Sequence, residues 1–388
     1  MNQLILNTGS SSLKLSIVCS DSEKTLLRGV CDWSRKPTQY QLSWDGGEIQ
    51  EEVTWNSVGE AIQRALHDLD VHASPLSWQA VVHRVVHGGA QFTGPTLITE
   101  AVLDSLEALC DLAPMHNPAS LSGIKSAMHA IPDLPHIAVF DTGFHSTITP
   151  EARTYPIPAR WTESWGLKKY GFHGMSHAYC AQRAVELLAP ASKELTLVIA
   201  HLGNGASVTA VKGGEAVDTS MGFTPLEGLM MGTRSGSVDP GLLLHVMTQY
   251  RLTPQEVEHA LNHESGLLGV SGISADMREL LQLAAQGNER ANLAIAMFVH
   301  RVRQSIGAMT VTMGGLDGLV FTGGIGEHSA EIRSQICDGL ECLNLRVDES
   351  INSQVVEDGS IASDSSHPIL VVTTREDLMM AREASSIL

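Results

Sequence analysis

The first apolar run of the chain, Leu4–Leu6, breaks at a Gly/Ser stretch and resumes as LKLSIV, Leu13 to Val18. There apolar and polar residues alternate with period two, the pattern of a half-buried strand. The whole stretch, LILNTGSSSLKLSIV, therefore reads strand, tight turn, strand. The tip of this predicted hairpin carries Asn7, Thr8, Gly9 and three serines. A nucleotide-binding P-loop needs a glycine before its lysine and a helix after it. Here Leu13 precedes Lys14 and a strand follows, so this is no P-loop. The stretch alone fits an ordinary surface turn and a phosphate-holding tip equally well.

The pattern recurs at Glu194 to Ser220, ELTLVIAHLGNGASVTAVKGGEAVDTS: an apolar strand, a Gly-rich turn, an alternating strand. His201 stands half a chain length beyond Asn7, and Gly9 and Gly203 fall in register. A second pair of runs, HIAVFDTGFH (His136–His145) and LDGLVFTGGIGEH (Leu316–His328), follows in the same order, each an apolar strand ending in a glycine turn. An internal duplication of two β-rich α/β domains fits these echoes. Helical periodicity marks Ser176 to Leu188, Pro254 to Asn262 and Glu289 to Met313. Thr253 with Glu256 makes a capping-box start, with Pro254 in the first turn. Glu357 to Pro368 reads as a polar surface loop. A strand, ILVVT, follows it, and Thr374 is expected to cap a last helix, Glu376 to Ile387.

Composition bounds the rest. A chain of 388 residues suggests two or three domains. With 43% apolar and 18% charged residues it has the balance of a soluble globular protein, and with 5% aromatics its cores must be aliphatic. The net charge of −18 argues against a nucleic-acid or anionic-membrane partner. An anionic substrate then requires basic residues concentrated in its site. Six scattered cysteines (Cys19, Cys31, Cys110, Cys180, Cys337, Cys342), with no C-x-x-C, read as free thiols in a reducing compartment. The first strand starts within a few residues of Met1, and no apolar run approaches the ~18 residues of a membrane span. A cytoplasmic enzyme without signal peptide is the expectation.

Two domains, each aiming a hairpin tip at a nucleotide cleft between them, is the plan of the sugar-kinase, actin and heat-shock-ATPase superfamily. Specific stretches narrow this. They are NTGSSSLK, HRVVHGG (His83–Gly89), LAPMHNP (Leu112–Pro118), FDTGFH (Phe140–His145), YGFHGMSH (Tyr170–His177), HLGNGAS (His201–Ser207), DTSMGFTPLEGLMMGTRSG (Asp218–Gly236) and FTGGIGE (Phe321–Glu327). Together, in order and over nearly the whole chain, they closely resemble the acetate kinase family. The resemblance implies an α/β fold of two duplicated ribonuclease-H-like (actin-like ATPase) domains. It sets one domain at 1–142 with 378–388. The second, nucleotide-binding and the expected homodimer interface, lies at 143–377. It also implies reversible, ATP-dependent phosphorylation of acetate to acetyl phosphate, with Mg2+ (or Mn2+) accompanying ATP or ADP. Propionate or another short-chain acid is the alternative substrate. A non-catalytic, ATP-gated binding module of the actin or chaperone type is the remote alternative.

Elementary chemistry agrees with a carboxylate acceptor. A carboxylate with a pKa near ~4.3 is ionised at neutral pH and needs no base. Its difficulty is meeting another anion: like charges ~4 Å apart at an effective dielectric of ~20 repel by roughly 4 kcal/mol. The site must supply cations and directed donors.

By resemblance, Arg84 and Arg234 hold the acyl carboxylate and the transferring phosphoryl, and Asp141 is the active-site acid. His173 and Asn204 donate to phosphoryl oxygens, with His201, Gly203, Gly205, Ser12 and Lys14 around the phosphates and His116 a weaker candidate. Val86, Met115, Phe172 and Pro225 map to the acyl pocket, Val86 on the same strand face as Arg84. Asp276, Met277, Arg278 and Gly324, Ile325, Gly326, Glu327, His328 map to the nucleotide site, the last five opening a helix. Asn7 and Glu376 map to the metal, with Asp377 as understudy. Glu376 reads equally as a first-turn acid favourable to the helix dipole. His83/His87 and His173/His177 have the spacing of metal ligands, but no further ligand is evident for either. The sequence departs from the family at His328 (usually Asn), Ser237 (usually Asp) and Met115 (usually Leu), and RED replaces the usual pair of glutamates.

Overall fold

The computed structural model describes residues 1–34, 37–55, 57–72, 77–114, 116–189 and 194–388. They form two compact units, one of Met1–Phe144 with Arg375–Leu388, the other of His145–Thr374. Glu376 and Asp377, expected in the second domain, thus belong to the first unit.

In the first unit β1 (Asn2–Thr8) and β2 (Ser12–Cys19) form the opening hairpin, closed by the Gly9 amide donating to the Ser12 carbonyl at 2.8 Å. The other strands are β3 (Lys24–Asp32), β4 (Thr38–Trp44), β5 (Gly47–Val53), β6 (Ala80–Val85), β7 (Thr96–Leu97) and β8 (His136–Phe140). The sheet order is β5-β4-β3-β2-β1-β6-β8-β7, with β6 parallel to β1 and β8 parallel to β6. Alternation in β1 and β2 buries Leu4, Leu13 and Ile17 against Ala61, Ile62, Ala65 and Leu69 of the helix Val58–His72. Each such Leu or Ile contributes about 1.5–3 kcal/mol by leaving water. The last helix, Glu376–Ser385, buries Leu378, Met379, Met380, Ala381 and Ala384 and packs on β1, β2, β6 and β8.

The second unit repeats this plan. Its strands are β9 (Thr196–Leu202), β10 (Ala206–Lys212), β11 (Glu215–Thr219), β12 (Gly318–Thr322), β13 (Gly359–Ser360) and β14 (Ile369–Val371), in the order β11-β10-β9-β12-β14-β13. Three antiparallel strands, then two parallel ones, match β3-β2-β1-β6-β8. The chain is therefore a duplicated actin-like α/β fold. The helix Glu289–Met313 lies on β9, β10 and β11 through Ala291, Ala294, Phe298, Val302 and Ile306, and stops where Gly314 turns left-handed.

The topology corrects the second echo. β12 is the parallel neighbour of β9, as β6 is of β1. LVFTGG of β12 therefore corresponds to HRVVHGG of β6, not to the β8 run HIAVFDTGFH, whose counterpart is β14. The capping box of Thr253 and Glu256 forms, starting the helix Pro254–His263. Thr374 does not cap the last helix. Arg375 takes that position without a side-chain bond, and the Thr374 amide donates instead to Glu327 Oε1 at 3.1 Å. The Glu357–Pro368 stretch is not wholly loop: it contributes β13, which pairs with β14. Among the described residues no helix is long and apolar enough to cross a membrane.

Candidate active site

The first unit gathers charge at the carboxyl ends of its parallel strands. Arg84 lies near the end of β6, and Asp141 follows the last residue of β8. The pair is bidentate, Arg84 Nε to Asp141 Oδ1 at 2.7 Å and Nη2 to Oδ2 at 2.8 Å, and Nη1 donates to Glu376 Oε2 at 3.2 Å. Asp141 is buried. Burial pushes its carboxyl up, opposed by the Arg84 guanidinium. Burial also opposes the charge on Arg84, but Asp141 and Glu376 outweigh it and hold the guanidinium above its ordinary range. Asp377 faces other partners, accepting from Thr25 Oγ1 at 2.9 Å and Arg28 Nη2 at 3.5 Å, which leaves Glu376 as the acid beside Arg84.

The strand ends at Val85, so half-buried Val86 sits past it and the same-face argument does not apply to it. Asn117 clamps the next residue, accepting from the His87 amide at 3.1 Å and donating to the His87 carbonyl at 3.0 Å. His83 bonds His136 across β6 and β8 (2.9 Å), an imidazole pair within the sheet. Asn7 lies across the hairpin from Lys14, which is exposed. Met115 lies outside the described residues.

Glu383, on the last helix, is a third acid here. Burial first, then Asp141, push its carboxyl up to about 7 from an ordinary value of 4.5. The native state then binds more protons than the unfolded chain, so stability falls as pH rises from about 4.5 to about 7. Glu383→Gln should gain up to about 2–3 kcal/mol over the parent at pH 8 and nothing at pH 4.5. Urea unfolding at the two pH values measures this; equal gains at both would refute it.

The second unit gathers phosphate-directed groups around the β9–β10 turn. Gly203 closes the turn, its amide donating to the Gly205 carbonyl at 3.0 Å. A methyl group on Gly205 would meet His173 Nε2 at 3.2 Å and Arg234 Nη1 at 3.7 Å, so imidazole, guanidinium and bare backbone converge there. His173 precedes the helix Gly174–Leu188 in the left-handed region (φ 59°), where Gly171 (φ 77°) is left-handed too. His201 stacks on His173, ring centres 4.4 Å apart, and its Nδ1 bonds Ser176 Oγ at 2.8 Å.

Arg234 has no carboxylate partner among the described residues. Its Nη1 reaches the Pro225 carbonyl at 3.4 Å, and burial lowers its pKa. Its loop is rigid: Met231 and Gly232 carbonyls accept from Leu267 and Leu268 at 2.8 and 2.9 Å. A Cβ on Gly232 would lie 2.0 Å from Asn204 Oδ1, so a side chain there would push the Asn204 amide aside. Ser237, where the family usually has Asp, closes the same loop by accepting from the Gly228 amide at 3.0 Å. A half-buried guanidinium with no carboxylate partner among the described residues, beside a glycine turn, suits an anion. Phe172 is fully buried and Pro225 half-buried.

Next to the turn lies a cavity of about 770 Å³, within the range of small-molecule sites. It brings together Gly203, Asn204, Asp276, Met277, Arg278, Gly324, Ile325 and His328, and adds Ala275, Leu281 and Ser329, which the sequence reading did not single out. Asp276 caps the helix Met277–Ala285 through the Arg278 amide, and the Arg278 side chain draws its carboxyl down to about 2. Gly324 to His328 are helical as expected, in a short helix that starts one residue earlier, Gly323–His328. Two of them, Gly326 and Glu327, do not line the cavity. Glu327 accepts from the Gly323 and Thr374 amides, and the Gly326 and Glu327 carbonyls accept from buried Arg333 at 2.8 Å. Arg333 also bonds Asn352 twice, at 2.7 and 2.9 Å. It fixes this short helix from beneath, a role invisible in sequence because Asn352 is distant along the chain.

A duplicated actin-like fold in which a half-buried arginine with no carboxylate partner among the described residues and an imidazole meet at one glycine hairpin turn defines a phosphoryl-transfer enzyme. The chain belongs to the acetokinase family, whose model matches residues 2–382. It is 45% identical over 396 residues to an acetate kinase of Microcystis aeruginosa, covering 99% of this chain and 98% of that one. An acetate kinase of Deinococcus radiodurans is 45% identical over 387 residues, covering 99% and 97%. Among solved structures, a propionate kinase from Francisella tularensis superposes with a TM-score of 0.95 at 38% identity over all of both chains. An acetate kinase from Porphyromonas gingivalis gives 0.91 at 36% identity, covering 100% and 99%.

Proposed function

We propose that the protein transfers the γ-phosphoryl group of ATP to acetate, reversibly giving acetyl phosphate and ADP. The observation that carries this reading is half-buried Arg234, with no carboxylate partner among the described residues, converging with His173 on the Gly203–Gly205 turn. An acetate oxygen attacks the γ-phosphorus in line, and the bond to the ADP oxygen breaks, ADP leaving with the electron pair. No general base is needed, because acetate is already ionised. Arg84 and Arg234 are assigned to the anions of substrate and phosphoryl group, His173 and Asn204 to the phosphoryl oxygens, with Gly203 and Gly205 keeping backbone open to them. Asp141 orients Arg84 through its bidentate bond. The cavity beside the turn is assigned to the nucleotide, with Met277, Leu281 and Ile325 as its apolar wall.

Magnesium fits the oxygen donors Asn7 and Glu376, since it commonly binds through one or two protein ligands plus water and substrate phosphates. When bound it would offset phosphate charge. We further propose a cytoplasmic homodimer. The helix Pro240–Gln249 supports it: no residue there is buried, and Leu242 and Leu244 are exposed.

Propionate is the second reading, favoured by the match to a propionate kinase. One added methylene is worth about 1–3 kcal/mol in an apolar pocket, so acetate should be preferred by roughly tenfold in kcat/KM. The hydroxamate assay with each acid, ATP and magnesium tests this. A preference for propionate overturns the acetate assignment, and no acyl phosphate from either acid overturns the function.

A further inference from the structure

Two buried polar groups behind His173 have no role in the reading above. Ser207, fully buried on β10, lies between two imidazoles: its Oγ is 3.0 Å from His173 Nδ1 and 2.7 Å from His177 Nε2. His177 is itself fully buried, one helical turn after His173, and its Nδ1 has no hydrogen-bond partner among the described residues.

We propose that His177 and Ser207 form a relay that holds His173 in the tautomer carrying its hydrogen on Nε2, the nitrogen facing the Gly203–Gly205 turn. This rests on the assignment of His173 to the phosphoryl oxygens. The argument is a count of donors. Burial, then the neighbouring His145 and His201, hold His177 far below its ordinary pKa, so it is neutral with a single N–H. Were that hydrogen on Nδ1, a buried donor would be left without an acceptor, an arrangement native proteins rarely contain. It therefore sits on Nε2 and donates to Ser207 Oγ. The serine hydroxyl hydrogen is then directed to the other neighbour, His173 Nδ1, which accepts. An imidazole accepting at Nδ1 carries its hydrogen on Nε2. That hydrogen points where a methyl group on Gly205 would meet Nε2 at 3.2 Å. His177 and Ser207 are thus positioning residues: they act through His173 and aim its donor.

The test is 15N NMR of histidine-labelled full-length protein with steady-state kinetics on the same samples. In the parent, the His173 resonances should report hydrogen on Nε2. Ser207→Ala and His177→Leu should each leave His173 in a mixture of both tautomers. Each should lower kcat about tenfold or more with little change in either KM, as for a donor that matters in the transition state. His177→Gln, whose side-chain NH2 can replace the Nε2 donor, should restore both the tautomer and most of kcat. It also keeps the test decisive should the leucine variant not fold. Hydrogen on Nδ1 in the parent, or an unchanged tautomer in the Ala and Leu variants, overturns the relay. A shifted tautomer with unchanged kcat upholds the relay and refutes instead the placing of His173 on the phosphoryl group.

Discussion

Arg234→Ala is expected to lower kcat by a hundredfold or more while the unfolding midpoint holds or rises. The two halves of this result have separate causes. Arg234 is a half-buried guanidinium that burial disfavours in its charged form, with no carboxylate partner among the described residues to compensate. Removing it relieves a desolvation cost, so the fold loses little. Catalysis loses much, because the cation is preorganised. The Met231–Arg234 loop is fixed by backbone bonds from Ser265, Leu267 and Leu268, so the guanidinium does not have to be ordered when charge develops. One such donor is typically worth about 3–4 kcal/mol of transition-state stabilisation. Arg234→Lys should recover little, since an ammonium cannot offer the planar fork. Turnover near that of the parent in the alanine variant would remove Arg234 from the mechanism.

The two hairpins were legible because period-two alternation around glycines is a local signal, and their duplication showed as spacing. The second repeat was mispaired for a physical reason. Short apolar strand runs ending in glycine look alike, and only the parallel partner distinguishes β6 from β8 as the counterpart of β12. The same-face argument for Val86 fails similarly: alternation cannot reveal that the strand stops at Val85. Resemblance, rather than pattern, singles out Arg84 and Asp141, and in the structure they share two hydrogen bonds. Groups that act through distant partners were not legible at all. Nothing local in Ser207 says that His173 and His177 meet on its hydroxyl. The four-residue spacing of His173 and His177 says only that they share a face, and the sequence reading could treat that only as a question about metal. Asn117 and Arg333 escaped notice likewise, since what each holds is a backbone carbonyl or amide elsewhere in the fold.

Arg84→Ala should differ from its counterpart in the second unit by being both inactive and unstable. The sequence treats the two arginines alike, but their surroundings differ. Arg84 neutralises buried Asp141 through two short bonds and also reaches Glu376. Deleting one partner of a buried pair leaves the other charge without compensation, which costs about 3–5 kcal/mol. The loss should depend on pH, and its sign follows from Asp141. Burial already raises that carboxyl in the native state; without the guanidinium the opposing pull disappears and it rises further. The native variant then binds a proton that the unfolded chain, with an ordinary Asp value of 3.8, gives up. Its stability must fall as pH climbs above about 4, and the deficit relative to the parent must shrink as pH is lowered towards that value. Adding Asp141→Asn should restore part of the stability lost at pH 8, because no buried charge remains there, yet restore no activity, because the cation is still missing. Urea unfolding of the single and double variants at pH 8 and pH 5, with hydroxamate activity on each, separates these outcomes. A single variant as stable as the parent at pH 8 would show that water compensates Asp141 and that the pair is not a structural one.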